Sequence, residues 1–514
     1  MPRRRHAALL LVALSALAAC SAGPSTRPVI AVRGGDQEQS QAAAPTGPRE
    51  VPPLEEYRST GLSWSPCTEA TRLRMGGTAP QGDQEYECAR LTARLDAPSR
   101  PGRGSLGLAV LRVGSGTSAL VVVGDPDGEP GTLKAARLAA SLPPQVLSTF
   151  TLIGIDRRGT GKSDGVRCVP DAARTGILEA DPADESQEDL LESLGRASQE
   201  CVLDLENRLK AVDSWRTAAD LEQLREALGT AHLNAIGIGD GSKVLTLYAS
   251  RFPDRVGRMV FDGAPDPTLD VMGVAEGQAV AAEQALKAFG EDCAVRRCPL
   301  GADAGQRFAA LLDRLRAAPI RGLDFDLTPG TATQAVLIGL ADRSRWPALA
   351  DALVAAESGD AGPLNAFVAP LVLEQDESPP RLDADLITTC NDTTTRVPPE
   401  RVAGLTSDWR EKHPVFGAWY ARELLRCGPF PVPQVPKPPQ LTGAPPIVVV
   451  STAADPVTPQ AGTERAAQAL PAGVVVGWQG GGHGALGQSS CATGLAQEFL
   501  VNAKVPTHGT LCPP

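Results

Sequence analysis

The stretch Leu233-Asn234-Ala235-Ile236-Gly237-Ile238-Gly239-Asp240-Gly241-Ser242 decides how the rest of the chain is read. Leu233 to Ile238 is a short apolar run of the kind that fills a buried parallel strand, and the glycines after it allow a tight turn into a helix. The chain has entered that helix by Ser242, and Phe252-Pro253-Asp254-Arg255 forms its structured end. Just upstream, Trp215 to Leu228 sets Ala218, Leu221, Leu224, Ala227 and Leu228 on one helical face. Ser118 to Val123 and Phe150 to Ile155 are further buried-strand runs, each followed by a Gly-containing loop. Between them Leu133, Ala136, Leu138, Ala139 and Leu142 keep helical spacing. Strand, helix and strand recur, which predicts an α/β fold with a mostly parallel central sheet and helices on both faces.

After Phe261-Asp262-Gly263 the alternation stops. Residues 266–383 carry helical patterns, with Phe308, Leu311, Leu312 and Leu315 as one packing stripe, and read as a helical cap inserted into the core. Strands are expected again at Leu386 to Thr389, Pro446 to Ser451 and Gly473 to Trp478, with the proline-rich Pro429 to Pro439 as a surface connection. The core is thereby divided into residues 56–265 and 384–514. Loops at the C-terminal ends of parallel strands converge on one face. Those loops are Asp156-Arg157-Arg158-Gly159-Thr160-Gly161-Lys162-Ser163, the turn at Gly239, Asp455-Pro456-Val457-Thr458-Pro459 and Gly480-Gly481-Gly482-His483-Gly484.

Of 514 residues, 42% are hydrophobic and 21% charged, the balance of a globular protein with a sizeable core. A net charge of -11 argues against a nucleic-acid partner. Residues 1–20 run from Arg3-Arg4-Arg5 through the apolar Ala7 to Leu17 and end in Leu17-Ala18-Ala19-Cys20. This is an export signal, too short for a bilayer span. Its small residues before a cysteine resemble the bacterial lipoprotein box, in which that cysteine is acylated. Residues 21–55 lack an apolar period and read as a flexible tether.

Setting Cys20 aside leaves ten of the 11 cysteines, an even number that in an exported chain implies disulfides. Their connectivity is open, although they fall as sequence neighbours: Cys67 with Cys88, Cys168 with Cys201, Cys293 with Cys298, Cys390 with Cys427, and Cys491 with Cys512. No Cys-x-x-Cys pair exists and four histidines remain beyond the leader, so no metal is expected. No cofactor is expected either.

The motif Asp-x-Arg-Gly-x-Gly-x-Ser at 156–163, followed in chain order by an elbow, an acid and a histidine, resembles the secreted tripeptidyl-aminopeptidase-like family of α/β-hydrolases. The resemblance covers about residues 60–514. It includes Trp64-x-x-Cys67, Glu87-Cys88-Ala89, Trp346-Pro347, Gly359-Asp360, Cys390-Asn391-Asp392 and His483-Gly484 through Cys491. It implies serine exopeptidase or esterase chemistry, with Asp455 as the acid, His483 as the base and the neighbouring cysteines as disulfides.

The nucleophile does not carry over. The family's Gly-x-Ser-x-Gly is matched by Gly237-Ile238-Gly239-Asp240-Gly241, with glycine where serine should stand. Glycine adopts the elbow's positive φ without strain, so the turn can persist without its nucleophile. Ser242 lies about one helical turn away and Asp240 one register late, so both are weak substitutes. The family's Gly-Gly-Pro-Gly oxyanion loop is matched by Gly124-Asp125-Pro126-Asp127-Gly128-Glu129-Pro130-Gly131, whose carboxylates oppose an oxyanion. It lacks the spacing of a calcium loop. Asp156, Arg157 and Arg158 are expected to brace the strand-loop junction. Asp455 and His483 are either a pair supporting the fold or part of a binding site.

The resulting expectation is an exported protein, lipid-anchored to the outer face of the bacterial cytoplasmic membrane, with a degenerate catalytic site. Asp125, Asp127, Glu129 and Asp240 would bind a peptide or other amine-bearing small ligand. The alternative is an active aminopeptidase or esterase using Ser242 or Asp240 with His483 and Asp455.

Overall fold

The structure is a computed structural model that describes residues 49–514 apart from 59, 77–83 and 376. The expected leader with Cys20, and residues 21–48 of the expected tether, lie outside the described residues. From residue 49 the chain is already part of the body, because Val51 and Leu54 pack against the core and Pro52 O accepts from Arg258.

A 10-stranded sheet organises the molecule. Its strands are β1 (Ser65–Pro66), β2 (Tyr86–Arg94), β3 (Ser105–Val113), β4 (Ser118–Val123), β5 (Phe150–Ile155), β6 (Leu233–Ile238), β7 (Val256–Asp262), β8 (Ile447–Ala454), β9 (Gly473–Gly481) and β10 (Thr510–Cys512). They lie in the order β1-β2-β3-β5-β4-β6-β7-β8-β9-β10. The pairs from β5 to β10 are parallel, and the β1-β2, β2-β3 and β3-β5 pairs are antiparallel. Strand order reverses between β5 and β6, with β4 between them, which opens a crevice at the C-terminal ends of β4 and β6.

Alternating side chains feed separate cores on the two faces. Leu120 and Val122 join Ile236, Val448 and Val450 under helices Gly131–Ser141 and Ser490–Asn502. Val121 and Val123 join Ala235, Phe261 and Val449 under helices Ser214–Leu228 and Asp240–Arg251. Between β7 and β8 a helical cap has its own core, in which Phe308, Leu311, Leu312 and Leu315 pack with Phe289, Trp346 and Phe416. Among the described residues no helix is long and apolar enough to cross a membrane.

The cap is longer than expected. Leu386 to Thr389 is not a strand but part of helix Arg381–Asn391, and helices Pro399–Lys412 and Gly417–Glu423 follow before β8 begins at Ile447. Leu382, Leu386, Ile387 and Cys390 share one helical face and bury it against Cys168, Leu194 and Cys201. A short apolar run carries no period of its own, so packing decided its form. Disulfides join Cys67 to Cys88, Cys168 to Cys201, Cys293 to Cys298, Cys390 to Cys427 and Cys491 to Cys512, as the family resemblance implies.

Candidate functional site

The turn from β6 into helix Asp240–Arg251 pivots on Gly239, at φ +56 and ψ -122. Side chains rarely adopt that conformation, and glycine takes it freely. The flanking glycines permit close approach: a Cβ on Gly241 would lie 2.1 Å from Val123 O, and one on Gly237 2.8 Å from Ser242 Cα. Ser242 is fully buried, its hydroxyl 2.6 Å from Gly263 O and 3.0 Å from Gly237 O, and no hydrogen bond joins it to His483. The structure therefore does not bring Ser242 to the base.

His483 follows β9 on a loop held by Asp262, whose buried carboxylate accepts from Ala485 N at 2.8 Å and Leu486 N at 2.9 Å. Its Nδ1 lies 3.0 Å from Asp455 Oδ2. Asp455 is in turn fixed by Val457 N, Thr458 N and the Thr458 hydroxyl, at 2.8, 2.9 and 2.7 Å. On the other side of the ring, Nε2 lies 3.0 Å from Asp125 Oδ2. Asp125 Oδ1 accepts the backbone N–H of Asp240 at 2.7 Å.

Asp125 thus stands where a side chain at position 239 would begin. A Cβ built on Gly239 would lie 2.2 Å from Asp125 Oδ1 and 2.6 Å from His483 Nε2. The N–H that Asp125 accepts belongs to the residue after the elbow position, the usual oxyanion donor of this turn. Burial opposes charge on His483, yet the carboxylates of Asp455 and Asp125 outweigh it and hold the imidazolium well above the ordinary histidine range.

Asp240 points elsewhere. Its carboxylate pairs with Arg157 Nη1 at 2.6 Å and Lys243 Nζ at 3.3 Å, and Lys243 also reaches Asp392 at 2.6 Å. Burial opposes the charge of Asp240, but Lys243 and Arg157 hold its carboxyl below the usual carboxylate range. Arg157 donates further to Gly124 O and Ser214. Arg158 grips Asp220 through Nε and Nη2, and Asp156 accepts from Thr132 N and Lys162 N. These three residues brace the loop rather than face the site.

A cavity of about 620 Å³ lies between the strand ends and the cap. Asp125, Asp127 and Asp240 line it, beside Ile177, Leu178, Leu337, Leu371 and Val372 from the helices. Glu129 does not; it pairs with Arg137 at 2.6 Å. Among the described residues Asp127 is the acidic group of this loop without an ion pair, and its exposed side chain projects into the cavity. Surrounding protein, then Asp385 and Asp125, push its carboxyl up to about 7. Sequence reasoning missed the anchoring role of Asp262 and the pairing of Asp240 with Arg157 and Lys243. A carboxylate closing an apolar strand, as Asp262 does, was the available signal for the first.

The sheet order, the positive-φ turn and the Asp455-His483 pair define an α/β-hydrolase-fold protein. Residues 128–323 match the family model for the alpha/beta hydrolase fold, and residues 413–512 match that for TAP-like proteins. The chain belongs to the tripeptidyl-aminopeptidase-like family of α/β-hydrolases. It is 28% identical over 488 residues to serine protease Hip1 of Mycobacterium tuberculosis, covering 88% of this chain and 91% of that protein. It is 28% identical over 457 residues to carboxylesterase B of the same organism, covering 83% and 86%. A tripeptidyl aminopeptidase of Streptomyces lividans is 28% identical over 221 residues, covering 41% and 39%.

Proposed function

We propose that the protein binds an amine-bearing ligand, such as a peptide N-terminus, in its cavity without serine-dependent cleavage, while an acylated Cys20 tethers it outside the cytoplasmic membrane. The observation that carries this reading is the Asp125 carboxylate, seated where an elbow side chain would begin. Losing a triad nucleophile lowers turnover by about 10⁶-fold. Asp127 supplies the cation-accepting group: a carboxylate facing a concave, partly dry cavity with no ion pair of its own among the described residues. The relative named as a tripeptidyl aminopeptidase acts, by that name, on peptide N-termini, which supports the ligand class.

Calorimetry with a tripeptide and its N-acetylated form tests the reading. The free peptide is expected to bind at least about tenfold more tightly, equivalent to roughly 1.4 kcal/mol, and Asp127→Asn is expected to abolish the difference. Equal affinity for both peptides overturns it.

A further inference from the structure

We propose that Asp125 is a relocated nucleophile whose carboxylate, paired with His483, opens an epoxide carried on an apolar group, and that the resulting ester is hydrolysed to a diol. This goes beyond the binding reading, since it requires no amine on the ligand.

Asp125 Oδ2 faces the base at 3.0 Å, and Oδ1 rests on the Asp240 N–H at 2.7 Å. Asp455 supports the far ring nitrogen at 3.0 Å, and Asp125 itself lines the cavity. The arrangement joins a reachable nucleophile, a base backed by its acid, and a donor at the oxygen that must carry charge.

A carboxylate attacking an amide is expelled again, because its conjugate acid (pKa about 4) is far stronger than that of an amine (about 10). Attack on a strained sp³ carbon has no such return path. Among such carbons an epoxide suits the site, since its oxygen needs a proton and the resting imidazolium carries one. Ile177 and Leu178 from helix Asp171–Glu179, with Leu337, Leu371 and Val372 from the cap, supply an apolar wall for the attached group.

In the first step Oδ2 bonds to the epoxide carbon as its C–O bond breaks, and the released alkoxide takes the His483 proton through a cavity water. Aspartate and imidazolium become a neutral ester and a neutral imidazole. With one carboxylate neutralised, His483 can act as base. It takes a proton from water as that water's oxygen bonds to Cγ, and the oxyanion on Oδ1 meets the Asp240 N–H. The Cγ–Oδ2 bond then breaks, and the diol oxygen takes the proton from His483. Finally the Asp125 carboxylic acid returns a proton to His483. The water's oxygen stays in Asp125 after the first turnover.

The test uses styrene oxide, which has no amine, with the full exported chain in heavy-oxygen water. A single turnover is expected to label Asp125 and leave the diol unlabelled. His483→Gln, with folding checked by thermal melting, leaves water to protonate the opened oxygen but removes the base for the ester, and is expected to slow ester hydrolysis by about 10²–10⁴-fold, so that Asp125 accumulates an adduct of the epoxide's mass. Asp125→Asn should form neither adduct nor diol. Label in the first-turnover diol, or neither diol from the wild type nor adduct on folded His483→Gln at saturating styrene oxide, overturns the proposal. Failure here with the tripeptide still bound removes this activity alone, whereas adduct formation without tripeptide binding removes only the amine reading.

Discussion

Placing a serine at the elbow is the most informative perturbation. A Cβ at Gly239 would stand 2.2 Å from Asp125 Oδ1 and 2.6 Å from His483 Nε2, so Gly239→Ser must drive Asp125 from its seat. That breaks the 3.0 Å contact to His483 and the 2.7 Å hydrogen bond from Asp240 N. Separating a buried ion pair costs roughly 3–5 kcal/mol, and the side-chain exposure of 14% at Asp125 places this one toward the lower end. A side chain at φ +56 adds about 1–3 kcal/mol of backbone strain. Gly239→Ser alone should therefore unfold at lower urea concentration and hydrolyse p-nitrophenyl acetate near background, because the displaced carboxylate still crowds the oxyanion side. Adding Asp125→Gly removes the clash with the carboxylate and leaves the turn strain and the 2.6 Å approach to His483 Nε2. The double variant should regain stability over the single one, react with a fluorophosphonate probe, and show ester hydrolysis that His483→Ala abolishes. Unchanged stability and full probe labelling in Gly239→Ser alone would refute the reasoning, since they require Asp125 to leave its seat without penalty.

Three further outcomes are expected. With the Asp127 carboxyl pushed up to about 7 by surrounding protein, Asp385 and Asp125, amine binding should strengthen as pH rises through about 7, and Asp127→Asn should flatten that profile in calorimetry. The raised folded value of His483 means its contribution to stability is fully present below the ordinary histidine pKa of about 6.5 and is lost as pH rises through the folded value. Nitrogen NMR should then find both ring nitrogens protonated at neutral pH, and a neutral ring there would contradict the double carboxylate pairing. Cys20→Ala should release the protein from the membrane fraction, since acyl chains contribute about 0.8 kcal/mol per buried CH₂; membrane retention of the variant would exclude the lipid anchor.

The sequence alone determined the alternation of β4, β5 and β6 with helices, because buried parallel strands are continuous apolar runs and the helices between them repeat at their own period. It also determined the order of elbow, acid and histidine, and the glycine at the centre of the elbow, since turn chemistry is local and written in adjacent residues. The form of Leu386 to Thr389 was not local: a short apolar run fits strand or helix, and only burial against Cys168, Leu194 and Cys201 made it a helix. The four carboxylates near the elbow turn looked equivalent in sequence. Tertiary structure separated them, pairing Asp240 with Arg157 and Lys243, Glu129 with Arg137, and Asp125 with His483, and leaving Asp127 to the cavity. Charge pairing depends on distances between loops that are up to 358 residues apart, as Asp125 and His483 are, and no spacing in the chain encodes them.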